Sequence, residues 1–185
     1  DIAASLIAKG ANMDIQDKYG RTGLIWAAVK GRTDIAASLI AEGADMNIQS
    51  NYGNTALLCA ALNGRTDIAT SLIAEGANMD IRNKDGNTAL IFAAEKGHTD
   101  IAASLIAEGA DINIQNNYGK TALIWAVRMD HTDIAASLIA EGADMDIQNK
   151  DDDTALLWAI EKGHTDIAAS LIAAGADMDI QNKNG

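Results

Sequence analysis

Serine and histidine recur at fixed positions of a repeated phrase, which raises the question whether they pair as nucleophile and base. The serines of this phrase are Ser5, Ser38, Ser71, Ser104, Ser137 and Ser170. The histidines, His98, His131 and His164, follow the same spacing of 33 residues. A serine nucleophile needs a base within hydrogen-bond reach. Because an active site is a single constellation and this pairing would be copied in successive units, we interpret both residue types as framework and expect no enzyme.

Neither the carboxylates nor the cysteine form a pattern typical of a metal site. Asp151, Asp152 and Asp153 form an acidic triplet, but the alternating ligands, following glycine and distal glutamate of a calcium loop are missing. Zinc would need clustered Cys and His ligands, and Cys59 is the single cysteine. We therefore expect no metal and no other cofactor. With no basic neighbour in sequence, Cys59 is expected to be a buried, unreactive thiol.

The composition argues against several classes of partner. Of 185 residues, 48 % are apolar, which is enough for a core, but only 4 % are aromatic. The net charge of −12 opposes binding to nucleic acid phosphates or anionic lipid. No apolar run approaches the ~20 residues that span a bilayer. We expect a monomer that binds neither nucleic acid nor membrane, in the cytoplasm or another reducing compartment, with secretion as a microbial effector left open.

One phrase organises the whole chain. DIAASLIAEGAD begins at Asp34, Asp100 and Asp133, and close variants begin at Asp1, Asp67 and Asp166. A fixed period of this length is the signature of a repeat protein. We expect a single array over 1–185, with five full units between a half-unit and the start of another. These segments are 1–16, 17–49, 50–82, 83–115, 116–148, 149–181 and 182–185.

Each unit predicts two short helices and an extended arm. In the unit 17–49, Thr22 is placed to cap a first helix that Gly31 ends, and Asp34 opens a second helix near the positive end of its dipole. Gly43 is placed for the C-terminal cap of that second helix. Helices this short are marginal alone in water. Each copy must therefore cover the apolar stripe of its neighbour, which predicts a stack with contacts between adjacent units.

These features resemble the ankyrin repeat family. The resemblance rests on the period, the turn–helix–helix order, the G-x-T-x-L start, the G-[HR]-T-D-I link and the G-A-[DN]-M-[DN]-I arm. It implies an all-α repeat solenoid, an ankyrin-type stack of helix-turn-helix units joined by β-hairpin loops, with short inner helices along a concave face. The family's Thr-Pro-Leu-His is TGLI, TALL or TALI here, without proline. We expect a more apolar contact between units than the family usually has.

Two departures and the two ends carry separate expectations. Asp130 and Asp152 replace turn glycines, so we expect left-handed backbone and local strain at both. Leu6 and Ile7 at one end and Ile180 at the other lack the polar outer face of a terminal repeat, so we expect them to be poorly covered. The tryptophans share one position of the unit with Cys59 and a phenylalanine, which favours core packing.

The positions where copies differ are the candidate partner-binding residues. Variation concentrates at the loop tips and at the ends of the first helices, and the resemblance implies that these positions face the groove. Tyr19 and Tyr52 are expected anchors, since tyrosine is common at interfaces. The first unit is locally basic and the fifth is acidic. The candidates are Lys18, Tyr19, Arg21, Val29, Lys30, Asn51, Tyr52, Leu62, Asn63, Asp85, Glu95, Tyr118, Lys120, Arg128, Met129, Asp151, Asp153 and Glu161.

The leading hypothesis is a non-catalytic scaffold that binds another protein along the concave face and the loop tips. The ends without caps suggest an alternative, a targeting or regulatory segment of a larger enzyme or effector. Near-identical copies suggest a further one, a structural or engineered array without a natural partner. The partner itself is not encoded in any motif.

Overall fold

The computed structural model describes residues 12–183, which form ten helices in five consecutive pairs. No strand is present among the described residues. The first helices of the pairs are α1, α3, α5, α7 and α9, and the second helices are α2, α4, α6, α8 and α10. Their bounds are α1 Gly23–Lys30, α2 Thr33–Ala41, α3 Ala56–Leu62, α4 Thr66–Ala74, α5 Ala89–Lys96, α6 Thr99–Ala107, α7 Ala122–Arg128, α8 Thr132–Ala140, α9 Ala155–Lys162 and α10 Thr165–Ala174.

A buried threonine begins every first helix, as the sequence predicts. In α1 the hydroxyl of Thr22 accepts a hydrogen bond from the N–H of Ile25, and the threonine is 1 % exposed. The threonines before α3, α5, α7 and α9 repeat this contact. Gly31 ends α1 in the left-handed conformation, with φ 66°. A side-chain acceptor satisfies one of the N–H groups that a helix start leaves unpaired, which is why this residue is copied.

The helices form two layers in which each helix touches its counterpart in the next pair. The first helices pack in the order α1, α3, α5, α7, α9, and the second helices follow the same order. The first helices contribute leucines and isoleucines to the core that are almost fully buried, such as Leu58, Ile91 and Ile124. These side chains occupy the position where the family usually has histidine, so the predicted apolar contact is confirmed. All-apolar burial between neighbours supplies the cover that each short helix pair lacks by itself.

The arms after the second helices are joined by side-chain bridges of period 31 or 33. The N–H of Asp45 donates to Asp14 Oδ1 at 3.0 Å, and the next copies of this bridge follow in every pair of arms. Gln49 Nε2 donates to the carbonyl of Arg82 at 3.0 Å. The loops at the tips close as tight turns, with Asp17 N–H donating to the Arg21 carbonyl. The expected hairpins are thus turns held by Asx and Gln side chains, without a strand ladder.

The two aspartates that replace glycine have left-handed backbone, as predicted. φ is 61° at Asp130 and 64° at Asp152. At the links formed by Gly31, Gly64 and Gly97, the glycine makes room for a side chain of the next unit: a Cβ on Gly97 would lie 2.6 Å from His131 Nε2. At Asp130 a side chain is present, and His164 Nδ1 lies 3.3 Å from its Oδ1. The copied glycine therefore has a packing role besides its conformational one.

The last helix pair has an open outer face. Ile160 is 62 % exposed and Ile172 is 46 % exposed, whereas Val127, the counterpart of Ile160 in the preceding pair, is 0 % exposed. Ile180 is half-buried, so it is better covered than expected. The expectation for Leu6 and Ile7 lies outside the described residues. Exposure at this end follows from the fold, because a helix pair buries its outer face against a following pair.

Candidate functional site

The eighteen candidate residues all lie at the surface, and together we call them the variable face. Seven of them are half-buried and the others are exposed; the half-buried ones are Arg21, Val29, Leu62, Glu95, Lys120, Arg128 and Asp153. The structure thus leaves the unlike positions accessible while it buries the copied apolar ones. This arrangement is compatible with partner binding, which stays a prediction for each of these residues.

Backbone hydrogen bonds between units fix the loop tips on this face, while the side chains of the tips are exposed. The N–H of Asn51 donates to the Tyr19 carbonyl at 2.8 Å, and the N–H of Lys84 donates to the Tyr52 carbonyl at 3.1 Å. The side chains of Tyr19 and Tyr52 are 41 % and 66 % exposed. Because these bonds already order the backbone of each tip, the backbone loses little entropy on binding, which favours recognition.

In the first full unit a carboxylate organises a compact cluster around Trp26. Asp17 Oδ2 accepts hydrogen bonds from Arg21 Nε at 3.0 Å, Arg21 Nη2 at 2.8 Å and Trp26 Nε1 at 3.2 Å. The Arg21 guanidinium lies 4.0 Å from the Trp26 ring centroid and 4.4 Å from that of Tyr19. Although desolvation raises the pKa of Asp17, its bonds from Arg21, Tyr19 and Trp26 hold that pKa well below its usual range.

In the fourth and fifth units two cations lie over two tryptophans, and we call these four residues the basic tryptophan cluster: Lys120, Trp125, Arg128 and Trp158. Lys120 Nζ is 4.8 Å from the Trp125 centroid and 5.3 Å from the Trp158 centroid. Arg128 Cζ is 5.1 Å and 5.0 Å from the same two centroids. These distances lie in the range of cation–π attraction. The cluster thus joins residues of two units on one surface.

The basic tryptophan cluster lacks the acceptor that its counterpart in the first unit has. Trp125 Nε1 and Trp158 Nε1 are buried without a hydrogen-bond partner among the described residues. The position of Asp17 is taken by Asn116, whose Oδ1 accepts from the N–H groups of Tyr118 and Lys120. Its Nδ2 donates to Asn87 Oδ1 at 2.8 Å. An amide offers a donor where the carboxylate of Asp17 offers a second acceptor.

A family comparison assigns this arrangement of units. A family model described as ankyrin repeats, in three copies, matches residues 1–83 and 59–149, and a model of the single ankyrin repeat matches residues 151–183. The chain belongs to the ankyrin repeat family. A search of the curated proteins gives no significant match. The ankyrin stack is an all-α repeat solenoid whose members generally mediate protein–protein interaction and are typically not catalytic.

Cys59 is part of the ankyrin core. It is 6 % exposed, and burial raises the pKa of its thiol to about 11, with a small opposing effect of the Arg21 charge. The expected buried thiol is therefore confirmed, since a thiol with this pKa is almost fully protonated at neutral pH.

The histidines of the ankyrin units lie at the links between helices. His131 Nδ1 is 2.8 Å from the Ala94 carbonyl, and His164 faces Asp130. The serine hydroxyls Oγ of α2, α4, α6, α8 and α10 donate to backbone carbonyls of their own helices. Both residue types therefore bind backbone or neighbouring side chains of the repeat, as framework residues do.

Two kinds of feature are absent from the described part of the chain. Residues 12–183 contain no group of three or more His, Cys, Asp or Glu side chains placed to hold a metal ion. Over the same residues, no helix has both the length and the apolarity that crossing a membrane requires.

The sequence analysis did not predict that the tryptophans contribute to the surface. Cys59 and Phe92 are buried as expected of core residues, but Trp26, Trp125 and Trp158 are half-buried and carry cations over their rings. The signal available in the sequence was a cation five residues before the tryptophan and another three residues after it, as in Lys120, Trp125 and Arg128. Periodicity shows which side of a helix faces the stack, but it does not show how far the ring of a large residue reaches out of it.

Proposed function

We propose that this ankyrin array is a non-catalytic scaffold that binds a partner protein along the variable face. One observation carries the proposal. Tyr19, Tyr52, Tyr118 and Met129 are exposed large apolar side chains, and all four belong to the variable face. The other exposed large apolar residues of the described part lie before the first helix pair, in the last pair or after it: Ile15, Ile160, Ile172 and Met178. Exposed aromatic and apolar groups gathered on one surface of the internal units are typical of an interaction site.

The anchor residues have the chemistry of interface hot spots. Tyrosine combines apolar area with a polar tip and has few rotatable bonds to immobilise. Methionine adapts its shape to a partner, and Met129 is 47 % exposed at the end of α7. The loop tips and the end of α7 place these groups in the first, second and fourth units of the stack. A partner segment that runs across the units would contact several of them at once.

Site-specific photo-crosslinking tests the surface directly. A photoreactive phenylalanine derivative replaces Tyr52 in one variant and Ala103, which is exposed on α6 in the other helix layer, in a second variant. With lysate of the source cell, we expect a discrete crosslinked protein from position 52 and none from position 103. Equal crosslinking from both positions would refute the assignment of the variable face.

A matched pair of triple variants then tests the anchors. Tyr19→Ala, Tyr52→Ala and Met129→Ala together should lower capture of the crosslinked partner at least about tenfold, the usual size of losing a hot spot. The control variant carries alanine at three exposed apolar positions outside the variable face, Ile15, Ile172 and Met178. Both triple variants should keep the circular dichroism of the native array. Equal capture by both variants would contradict the proposal.

A further inference from the structure

We propose that the basic tryptophan cluster binds a carboxylate of an acidic segment in the partner protein. This inference rests on the proposed function and adds the chemical class of the segment that the fourth and fifth units recognise. It follows from three observations: two cations without a carboxylate partner, a carboxylate bound at the same place in the first unit, and acidic residues that limit the size of the site.

The cations of the cluster are unpaired in a strongly acidic chain. The ion pairs among residues 12–183 are Arg21–Asp17, Lys96–Glu95, Lys162–Glu161 and His164–Asp130. Lys120 and Arg128 appear in none of them, although the net charge is −12. The two buried indole N–H groups beneath them are also without acceptors. Two cations outside any ion pair, close to indole N–H groups without acceptors, favour binding of an external carboxylate.

Partial burial of Lys120 points the same way. Burial lowers the pKa of Lys120, the Arg128 charge lowers it further, and the carboxylates of Asp151 and Asp153 act in the opposite direction. A lowered pKa means that the surroundings disfavour the ammonium form. A carboxylate that binds beside Lys120 would remove this disadvantage, which is a source of binding free energy.

The first unit shows how a carboxylate occupies this position. Arg21 and Trp26 correspond in the repeat to Lys120 and Trp125, and they bind Asp17 Oδ2 through three hydrogen bonds. In the fourth unit the residue corresponding to Asp17 is Asn116, so the cation and the indole are kept while the carboxylate is lost. The fourth unit thus keeps the cation and the indole without the internal carboxylate that binds both of them in the first unit.

The flanking residues limit the site to a short acidic segment. Asp151 and Asp153 lie near Lys120, and Glu161 pairs with Lys162 at 2.8 Å. Carboxylates on two sides would repel an extended polyanion, because like charges side by side cost free energy. A nucleic acid backbone is therefore disfavoured. Met129 follows Arg128 directly in the chain and Tyr118 precedes Lys120 by two residues, and their exposed side chains suit an apolar residue next to the acidic one.

Selection from a displayed library of random short peptides tests the inference. The complete chain is panned at physiological salt, where the screening length is ~8 Å. We expect Asp and Glu to be enriched in the selected peptides relative to the unselected library, and we expect high salt to weaken the binding of a labelled selected peptide. Selected peptides without acidic enrichment would overturn the proposal.

Charge-removing variants locate the binding. Lys120→Gln and Arg128→Gln together keep most of each aliphatic stem over the rings, and they should weaken the selected acidic peptide about tenfold or more. The control pair, Lys84→Gln and Lys150→Gln, removes the same charge from exposed loop tips and should change affinity less than about twofold. Equal losses in the two pairs would overturn the proposal, since they would show an effect of net charge alone.

Asn116→Asp is the sharpest variant because it supplies the carboxylate from within. A flip of the Asn87 amide lets that residue donate to the new carboxylate. We expect this variant to be at least as stable as the native chain in urea and to lose affinity for the acidic peptide about tenfold, because the internal carboxylate occupies the site. A stable Asn116→Asp protein with unchanged peptide affinity would overturn the proposal.

The outcomes separate this inference from the proposed function. Peptides that depend on Tyr52 and Met129 but carry no acidic enrichment would refute the carboxylate site and leave the binding surface intact. If neither the selected peptides nor the crosslinked partner depends on residues of the variable face, both the carboxylate site and the proposed function are refuted. A labelled single-stranded oligonucleotide is the remaining probe. If it binds and its binding depends on Lys120 and Arg128, the cluster is a nucleic acid site and the proposal of an acidic protein segment is overturned.

Discussion

The glycines between paired helices provide the most discriminating test of the framework. Gly97 ends α5 with φ 72°, and a Cβ at this position would lie 2.6 Å from His131 Nε2 in the next unit. Gly97→Ala therefore combines two costs. Left-handed backbone costs an L-residue about 1–2 kcal/mol, from which a less flexible unfolded chain recovers about 0.4–1 kcal/mol. Displacement of His131 breaks its 2.8 Å contact with the Ala94 carbonyl, and a hydrogen bond contributes about 0.5–1.5 kcal/mol.

A double-mutant cycle separates these costs. Urea unfolding is measured for the native chain, Gly97→Ala, His131→Ala and the double variant. We expect Gly97→Ala to lose about 0.5–3 kcal/mol in the native background, and about 0.5–1.5 kcal/mol less when His131 is already alanine. Gly163→Ala is a second control, since φ is 75° there and a Cβ would meet nothing within 4 Å. Additive effects of Gly97→Ala and His131→Ala would refute the packing role of the glycine.

Three further predictions concern the core, the open end and the first-unit cluster. Cys59 should resist iodoacetamide at pH 8 until urea unfolds the array, because its folded pKa is about 11. Val127→Lys should cost more than about 3 kcal/mol in urea unfolding, while Ile160→Lys should stay within about 0.5 kcal/mol of the native chain. The lowered pKa of Asp17 predicts that its carboxylate stabilises the fold above the unfolded pKa of ~4, and that this stabilisation is lost as pH falls through the folded value. The native chain and Asp17→Asn should therefore differ in urea midpoint at pH 7 and have the same midpoint in strong acid.

Most of the framework could be predicted from the sequence because each copied residue has a local reason. The threonine caps, the positive-φ glycines and the apolar residues of the inner contact depend on their own helix and on one neighbour, and both are read from the period. The left-handed backbone of Asp130 and Asp152 could be predicted from the same comparison of copies, because both residues stand where the other copies have a turn glycine. The fold class needed no knowledge of distant contacts.

The basic tryptophan cluster could not be predicted in the same way. Lys120 reaches Trp158, which lies in the next unit, so the contact appears only when two units are stacked. The difference between Asp17 and Asn116 looks conservative in sequence, yet it exchanges an acceptor for a donor beside an indole N–H. The trend from a basic first unit to an acidic fifth unit also hid this feature. Asp151 and Asp153 lie at the tip of the fifth unit, whereas the ring of Trp158 lies beside Lys120 and Arg128 of the fourth unit.

Removal of one complete internal unit tests the stacking account most directly. Deletion of residues 83–115 joins Arg82 to Asn116 and keeps every remaining helix pair beside a neighbour. We predict that the shortened chain, with four described helix pairs in place of five, unfolds cooperatively in urea with an m-value lower by about one fifth, since m follows the surface exposed on unfolding. A shortened chain without a cooperative transition would show that contacts beyond neighbouring units hold the molecule together, and it would contradict the account.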